Sequence, residues 1–186
     1  MRRSTRSGFT LIELMIVVGI ISILVAVLVA VLFGAMKKGE AAKARDFVNN
    51  VMPAAITKWQ EESGKDSNTF PASPNIADGD GYWQGNAELF AELVTKPKKA
   101  GKDPYVKDDQ YVQGEEGGKP VFLDPWNKFY IYRNYNMKKS STGKSQTFRG
   151  KRRYNQNTYD IISLGPDGIL YEDKNDNNDD IYNGAD

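Results

Sequence analysis

The chain has 186 residues with no cysteine and no histidine, which excludes disulfides, thiolate nucleophiles, imidazole bases and Cys or His zinc sites. That length suits one domain plus a membrane segment. With 25 basic and 24 acidic side chains the formal charge is +1, so no strong global field points to nucleic acid.

The first notable element is an apolar run from Leu14 to about Met36, preceded by Glu13 and flanked by Arg2, Arg3 and Arg6 without a neighbouring acid. The run is close to the roughly 20 residues a helix needs to cross a bilayer and too long for an ordinary secretory signal. The positive flank keeps the N-terminus cytoplasmic and sends the remainder across. Glu13 is the anomaly, because an ionised carboxylate within a bilayer costs roughly 3 kcal/mol on insertion scales and demands a partner. The nearest candidate is an amine. A cleaved secretory signal or a plain signal anchor is the simpler alternative, and neither accounts for Glu13.

Gly8-Phe9-Thr10-Leu11-Ile12-Glu13 resembles the class III leader of type IV pilins and type II secretion pseudopilins. The resemblance implies cleavage between Gly8 and Phe9 by a membrane prepilin peptidase and N-methylation of Phe9. It also implies that Glu13 pairs with the N-terminal ammonium of a neighbouring subunit and so sets assembly register. An amine beside a carboxylate in a low-dielectric environment relieves the desolvation cost of both. Loss of the three leader arginines turns the charge balance of the remainder slightly negative.

From Phe9 to about Glu62 the pattern predicts one long helix. Beyond Met36 it turns amphipathic, with Ala41, Ala44, Phe47, Val48, Val51, Ala55, Ile56 and Trp59 at threes and fours. Pro53 removes a backbone hydrogen bond and predicts a kink near residues 49 to 53. Residues 63 to 85 read as a loop. A short helix follows, with Asn86 as N-cap, Leu89, Phe90, Leu93 and Val94 as its apolar face, and Lys96-Pro97 as its end. Lys98 to Lys119 is turn-rich. Pro120 to Leu123, Phe129 to Arg133 and Tyr159 to Leu164 are short strand-like segments of a small antiparallel sheet. The fold class is α+β.

Ala91-Glu92-Leu93-Val94-Thr95-Lys96-Pro97, Asp103-Pro104-Tyr105-Val106, Asp124-Pro125-Trp126-Asn127-Lys128-Phe129-Tyr130-Ile131-Tyr132 and Tyr159-Asp160-Ile161-Ile162-Ser163-Leu164-Gly165-Pro166-Asp167-Gly168 are similar, in order, to the blocks of the major pseudopilin of type II secretion, its G subunit. The resemblance implies a type IV pilin-like fold, a long helix packed on a small sheet. The expected organisation is a leader (1–8), a transmembrane and polymerisation helix (9–36), its amphipathic continuation (37–62), and a periplasmic head (63–186) with an acidic C-terminal loop.

Asp167, Asp173, Asp176, Asp179 and Asp180, with Asn175, Asn177 and Asn178, concentrate hard oxygen donors of the kind that suit Ca²⁺. An EF-hand is rejected, since Asn178 replaces the turn glycine and Gly184 stands where the bidentate glutamate belongs. The bland alternative is a solvated acidic tail. The family resemblance implies one calcium held by Asp167, Asp179, Asp180 and the Leu164 carbonyl. Asp173 or Asp176 can substitute for one of them, because the intervening stretch is longer and more acidic than the family's.

Lys138 to Arg153 carries seven basic residues and no acid, with only Phe148 inside the run. A solvated basic loop is the plain reading, and contact with the acidic loop of an adjacent subunit is the sharper one. Trp59, Trp83, Trp126 and most tyrosines are expected to pack the head or line its surface rather than bind a ligand. Asp108 with Asp109 and Glu115 with Glu116 lie in polar stretches where nothing separates their pKa values, so no carboxylate catalyst is expected.

The resulting expectation is a non-enzymatic subunit of a homopolymeric periplasmic filament driving type II secretion. It is anchored by one inner-membrane span and assembled with minor pseudopilins by a membrane platform and cytoplasmic ATPase. The alternatives are a type IV pilin for adhesion, motility or DNA uptake, and a signal-anchored periplasmic enzyme or binding domain.

Overall fold

The computed structural model describes residues 10–73, 82–134, 155, 158–170 and 179–184. Two compact units divide the chain, Met1–Gly39 and Glu40–Asp186.

The first unit is helical. Helix α1 (Leu11–Asp46) begins here, and its large apolar side chains from Leu11 to Met36 are exposed. A helix apolar on all sides belongs in lipid or in a helical bundle, not in water. The helix from Leu11 to Glu62 contains a window of mean hydropathy 3.3 and is long and apolar enough to cross a membrane.

In the second unit α1 passes into a π-helical turn (Phe47–Val51) and then α2 (Met52–Glu62). The kink expected at Pro53 takes this form. Pro53 has no N–H for the carbonyl of Asn49 four residues back, and the ladder slips so that Met52 N–H donates to Phe47 O, five residues away. The same event recurs in α3 (Trp83–Phe90), a π turn (Ala91–Thr95) and α4 (Lys96–Lys99). Lys96 N–H donates to Ala91 O, and the Leu93 carbonyl that Pro97 cannot serve accepts from Tyr105 N–H at 2.9 Å. Lys96-Pro97 therefore does not end the helix, as the sequence suggested; a widened turn absorbs the proline.

Strands β1 (Val112–Glu116) and β2 (Lys119–Leu123) form an antiparallel hairpin in which Glu116 faces Lys119. Gly117 and Gly118, at φ +55° and +74°, make the two-residue turn with both central residues left-handed that suits strand twist. The Trp83 ring packs where a side chain on Gly117 would lie. β1 falls within the stretch expected to be turns only. Strands β3 (Ile131–Asn134), β4 (Tyr159–Ser163) and β5 (Ile181–Tyr182) form a second antiparallel sheet in the order β3-β4-β5. The architecture is α+β as expected, with two small sheets in place of one.

The main core joins Phe47, Val48, Met52 and Ile56 to Leu93, Phe122 and Ile161. Phe47 stacks on Tyr130 at 4.6 Å between ring centroids, and Phe122 meets Phe90 at 4.6 Å. Aromatic pairs at such spacing contribute about 0.5–1.5 kcal/mol beyond the area they bury. Trp59 lies in this core; Trp83 and Trp126 are half-buried.

Asn86 does not cap its helix. The helix starts at Trp83, and Asn86 is fully buried. Its Nδ2 donates to the Phe122 and Tyr130 carbonyls at 2.9 and 2.8 Å, and its Oδ1 accepts from Phe122 N–H at 2.8 Å. One side chain thus supplies the backbone groups that a further strand would have offered β2.

Candidate functional site

At the N-terminus, Thr10 N–H and Thr10 Oγ1 donate to Glu13 Oε2 at 2.9 and 2.8 Å, while Glu13 N–H donates to Thr10 Oγ1 at 3.3 Å. Leu14 N–H closes the first turn on Thr10 O. This is a capping box, with Thr10 as N-cap and Glu13 three residues on, each satisfying amides that the first helical turn leaves open. The T-L-I-E pattern carries the signature, which an argument from the charge of Glu13 alone passes over. The carboxylate therefore has partners within its own chain. Gly8 and Phe9 lie outside the described residues.

The second site lies where β4 ends. Gly165, at φ +63°, leaves a space that a Cβ would fill 2.6 Å from Asp179 Oδ2. The Asp179 carboxyl rests on this glycine and lies within hydrogen-bonding reach of Asp167. Asp167 Oδ1 accepts from Ile169 N–H at 2.8 Å, folding the turn that presents it. Burial, and next the Asp167 charge, push the Asp179 carboxyl above its ordinary range. Asp179 Oδ1 is shut off from solvent and accepts no hydrogen bond among the described residues, and Asp180 Oδ1 is also buried. Leu164 joins Ser163 to Gly165. The alkyl chain of Lys128 lies against Gly168.

Of the expected ligand set, the fold brings Asp167 and Asp179 together across the sequence. No group of three or more carboxylates converges among the described residues; Asp173, Asp176 and the basic run 138–153 lie outside them. The pair is of the hard-oxygen kind that suits calcium, the ion the family resemblance implies. Two carboxyls held in contact, one with a buried oxygen lacking a donor, are a cost to the fold that a cation would offset, and Gly165 leaves the Asp179 carboxyl the space that a Cβ would take.

Two polar networks hold the site. In the first, Asp124 Oδ1 accepts from Trp126 N–H and Lys128 N–H at 3.0 and 2.9 Å, and Asp124 Oδ2 accepts from Ser163 Oγ at 2.7 Å. In the second, Asn183 continues β5 with side-chain atoms: its Oδ1 accepts from Ile161 N–H at 2.7 Å and its Nδ2 donates to Tyr159 O at 3.0 Å. Asn155 bridges Asp160 Oδ1 and the Asn183 carbonyl. Gly184 N–H then donates to Asn49 Oδ1 in the first π turn at 3.1 Å. The segment carrying Asp179 is thereby tied to β4 and to the helix.

Compared with known proteins, residues 3–33 match the family model described as the prokaryotic N-terminal methylation motif. The match points to a type IV pilin-like or pseudopilin-type protein, a structural class, and the motif implies prepilin peptidase processing and filament assembly. It is consistent with membrane anchoring through the apolar helix. No curated protein and no solved structure matches the chain.

Proposed function

We propose that this chain is the major structural subunit of a periplasmic pseudopilus that drives export by type II secretion. Cleavage between Gly8 and Phe9 and methylation of Phe9 yield the mature subunit, which one inner-membrane span holds with its head in the periplasm. Assembly transfers the apolar helix from lipid to a filament core of similar polarity, so its side chains need not meet water. Glu13 pairs with the Phe9 amine of a neighbouring subunit, exchanging one of its Thr10 contacts for a charged one. A membrane platform and cytoplasmic ATPase supply the work, and minor pseudopilins share the filament.

The observation that carries this reading is the methylation motif over residues 3–33 on a helix exposed along its whole apolar length. The secretion role, over a surface pilus, is favoured by a C-terminal segment that is closed without cysteine and brings Asp167 against Asp179. In the proposed state Asp167 and Asp179 hold one calcium ion, with Asp180 and the Leu164 carbonyl completing the set. When bound, calcium neutralises the carboxyl pair and fastens the turn of β4 to the segment leading into β5.

Mass spectrometry of the mature protein tests the processing: the expected N-terminus is methylated Phe9, and any other terminus refutes it. Deletion of the gene separates the two filament roles. Periplasmic accumulation of exported proteins with intact surface pili is expected, and normal export with lost pili refutes the secretion role.

A further inference from the structure

Asp124 and Ser163 are buried, with 1% and 0% of their surface exposed, and neither belongs to the expected ligand set. A carboxylate and a hydroxyl in such a place cost desolvation energy that a small apolar residue would avoid, so their geometry identifies what they provide. Ser163 is the last residue of β4 and faces Ile181 of β5. Its hydroxyl donates to Asp124 Oδ2 at 2.7 Å and accepts from Gly165 N–H at 3.3 Å. The direction follows from the chemistry, since the amide can only donate and the carboxylate can only accept. Asp124 is itself fixed by the Trp126 and Lys128 amides. The chain of contacts runs from the D-P-W turn through Ser163 to Gly165, on which the Asp179 carboxyl rests. The peptide it orients is the one joining Leu164 to Gly165.

We infer that Asp124 and Ser163 are positioning residues for the cation site: Asp124 orients the Ser163 hydroxyl, which fixes the Leu164–Gly165 peptide beneath Asp179. The inference rests on the calcium reading proposed above. Groups one shell out from a metal commonly change its affinity by 10–100-fold when removed, because a donor that wanders loses its preorganisation.

The test is a calcium titration of the full-length protein in detergent, with the dissociation constant from calorimetry and the melting temperature in chelator measured in parallel. Ser163→Ala should weaken calcium about tenfold or more. Asp124→Asn preserves the acceptor for the two turn amides and should weaken binding even if Ser163→Ala does not fold. Gln60→Ala, which loses the Ser67 and Thr69 carbonyl contacts after α2 and shares no partner with Asp124 or Ser163, is the control for lost stability: it should lower the melting temperature in chelator and leave calcium affinity unchanged. If Ser163→Ala and Asp124→Asn melt lower yet bind calcium within about twofold of wild type, well short of the expected range, their role is structural and the inference fails. If wild type binds no calcium, the cation reading itself fails, and the inference with it.

Discussion

Replacing Asn86 should destabilise the Glu40–Asp186 unit more than its small side chain suggests. In Asn86→Ala three hydrogen bonds disappear, but their partners are not equally stranded. The Phe122 carbonyl keeps Tyr130 N–H at 3.2 Å, whereas Phe122 N–H and the Tyr130 carbonyl lose the Asn86 contacts that serve them. Two buried backbone groups left without a partner cost about 1–3 kcal/mol each, so a loss of about 3–5 kcal/mol is expected once the small cavity is included. That is a large fraction of the roughly 5–15 kcal/mol that holds a domain together. Asn86→Leu fills the space and leaves the same two groups stranded, so it should recover little. Asn86→Asp separates shape from chemistry. One oxygen still accepts from Phe122 N–H, but the other meets two carbonyls, so the aspartate is driven toward its protonated form and its folded-state pKa lies above the unfolded value. The penalty is then full above the folded pKa and shrinks as pH falls through it. Urea denaturation of the full-length protein in detergent, followed by tryptophan fluorescence, measures the loss, and hydrogen exchange at the Phe122 amide localises it. A cost below about 1 kcal/mol for Asn86→Ala, the worth of a single net hydrogen bond, would show that water or relaxation replaces these contacts and would refute the reasoning.

Gly165→Ala places a methyl against the Asp179 carboxyl at a left-handed φ; a cost of about 1–3 kcal/mol and loss of any calcium-dependent rise in melting temperature are expected, both read from one thermal melt with and without chelator. Glu13→Ala or Glu13→Val should leave membrane insertion and the folded Glu40–Asp186 unit intact while impairing assembly, whereas Thr10→Ala should cost the helix about 1 kcal/mol and assemble to a greater extent; wild-type filament yield from the Glu13 variants would overturn the role given to that carboxylate. Because the folded-state pKa of Asp179 is raised by burial and by Asp167, its ionised form is a cost above that pKa that disappears as pH falls through it. In chelator, acidification into the carboxylate range should therefore spare this site, and the protection given by calcium should fade over the same window because the ion needs the pair deprotonated. Calcium protection that persists unchanged below about pH 3, under the ordinary carboxylate pKa, would place the ion elsewhere.

The features legible in the sequence are those fixed by neighbours along the chain. The basic flank and apolar run follow from local hydropathy, and the amphipathic stretch buries Phe47, Val48, Ile56 and Trp59 as its period requires. Pro53 announced a disturbance, although a helix can absorb a missing N–H by widening its turn as well as by bending. Two local signals were readable and outweighed by others: Thr10 with Glu13 as a capping box, and Gly117-Gly118 as a hairpin turn, obscured by the glycine and paired glutamates of a strand that is mostly exposed. β5 is too short to carry a period.

Hydropathy, charge and turn chemistry act over a few residues, and they suffice to mark a prepilin-like leader motif on a membrane-length helix and a cysteine-free α+β unit. Folding alone brings Asn86 to β2 instead of a helix end, sets Asp167 against Asp179 while Asp124 and Ser163 brace the glycine beneath Asp179, and carries Gly184 to Asn49. Those pairings join residues 12 to 135 positions apart, and no local preference encodes such a distance. Packing of the core closes it, and the buried polar groups then find partners because leaving them without is too costly.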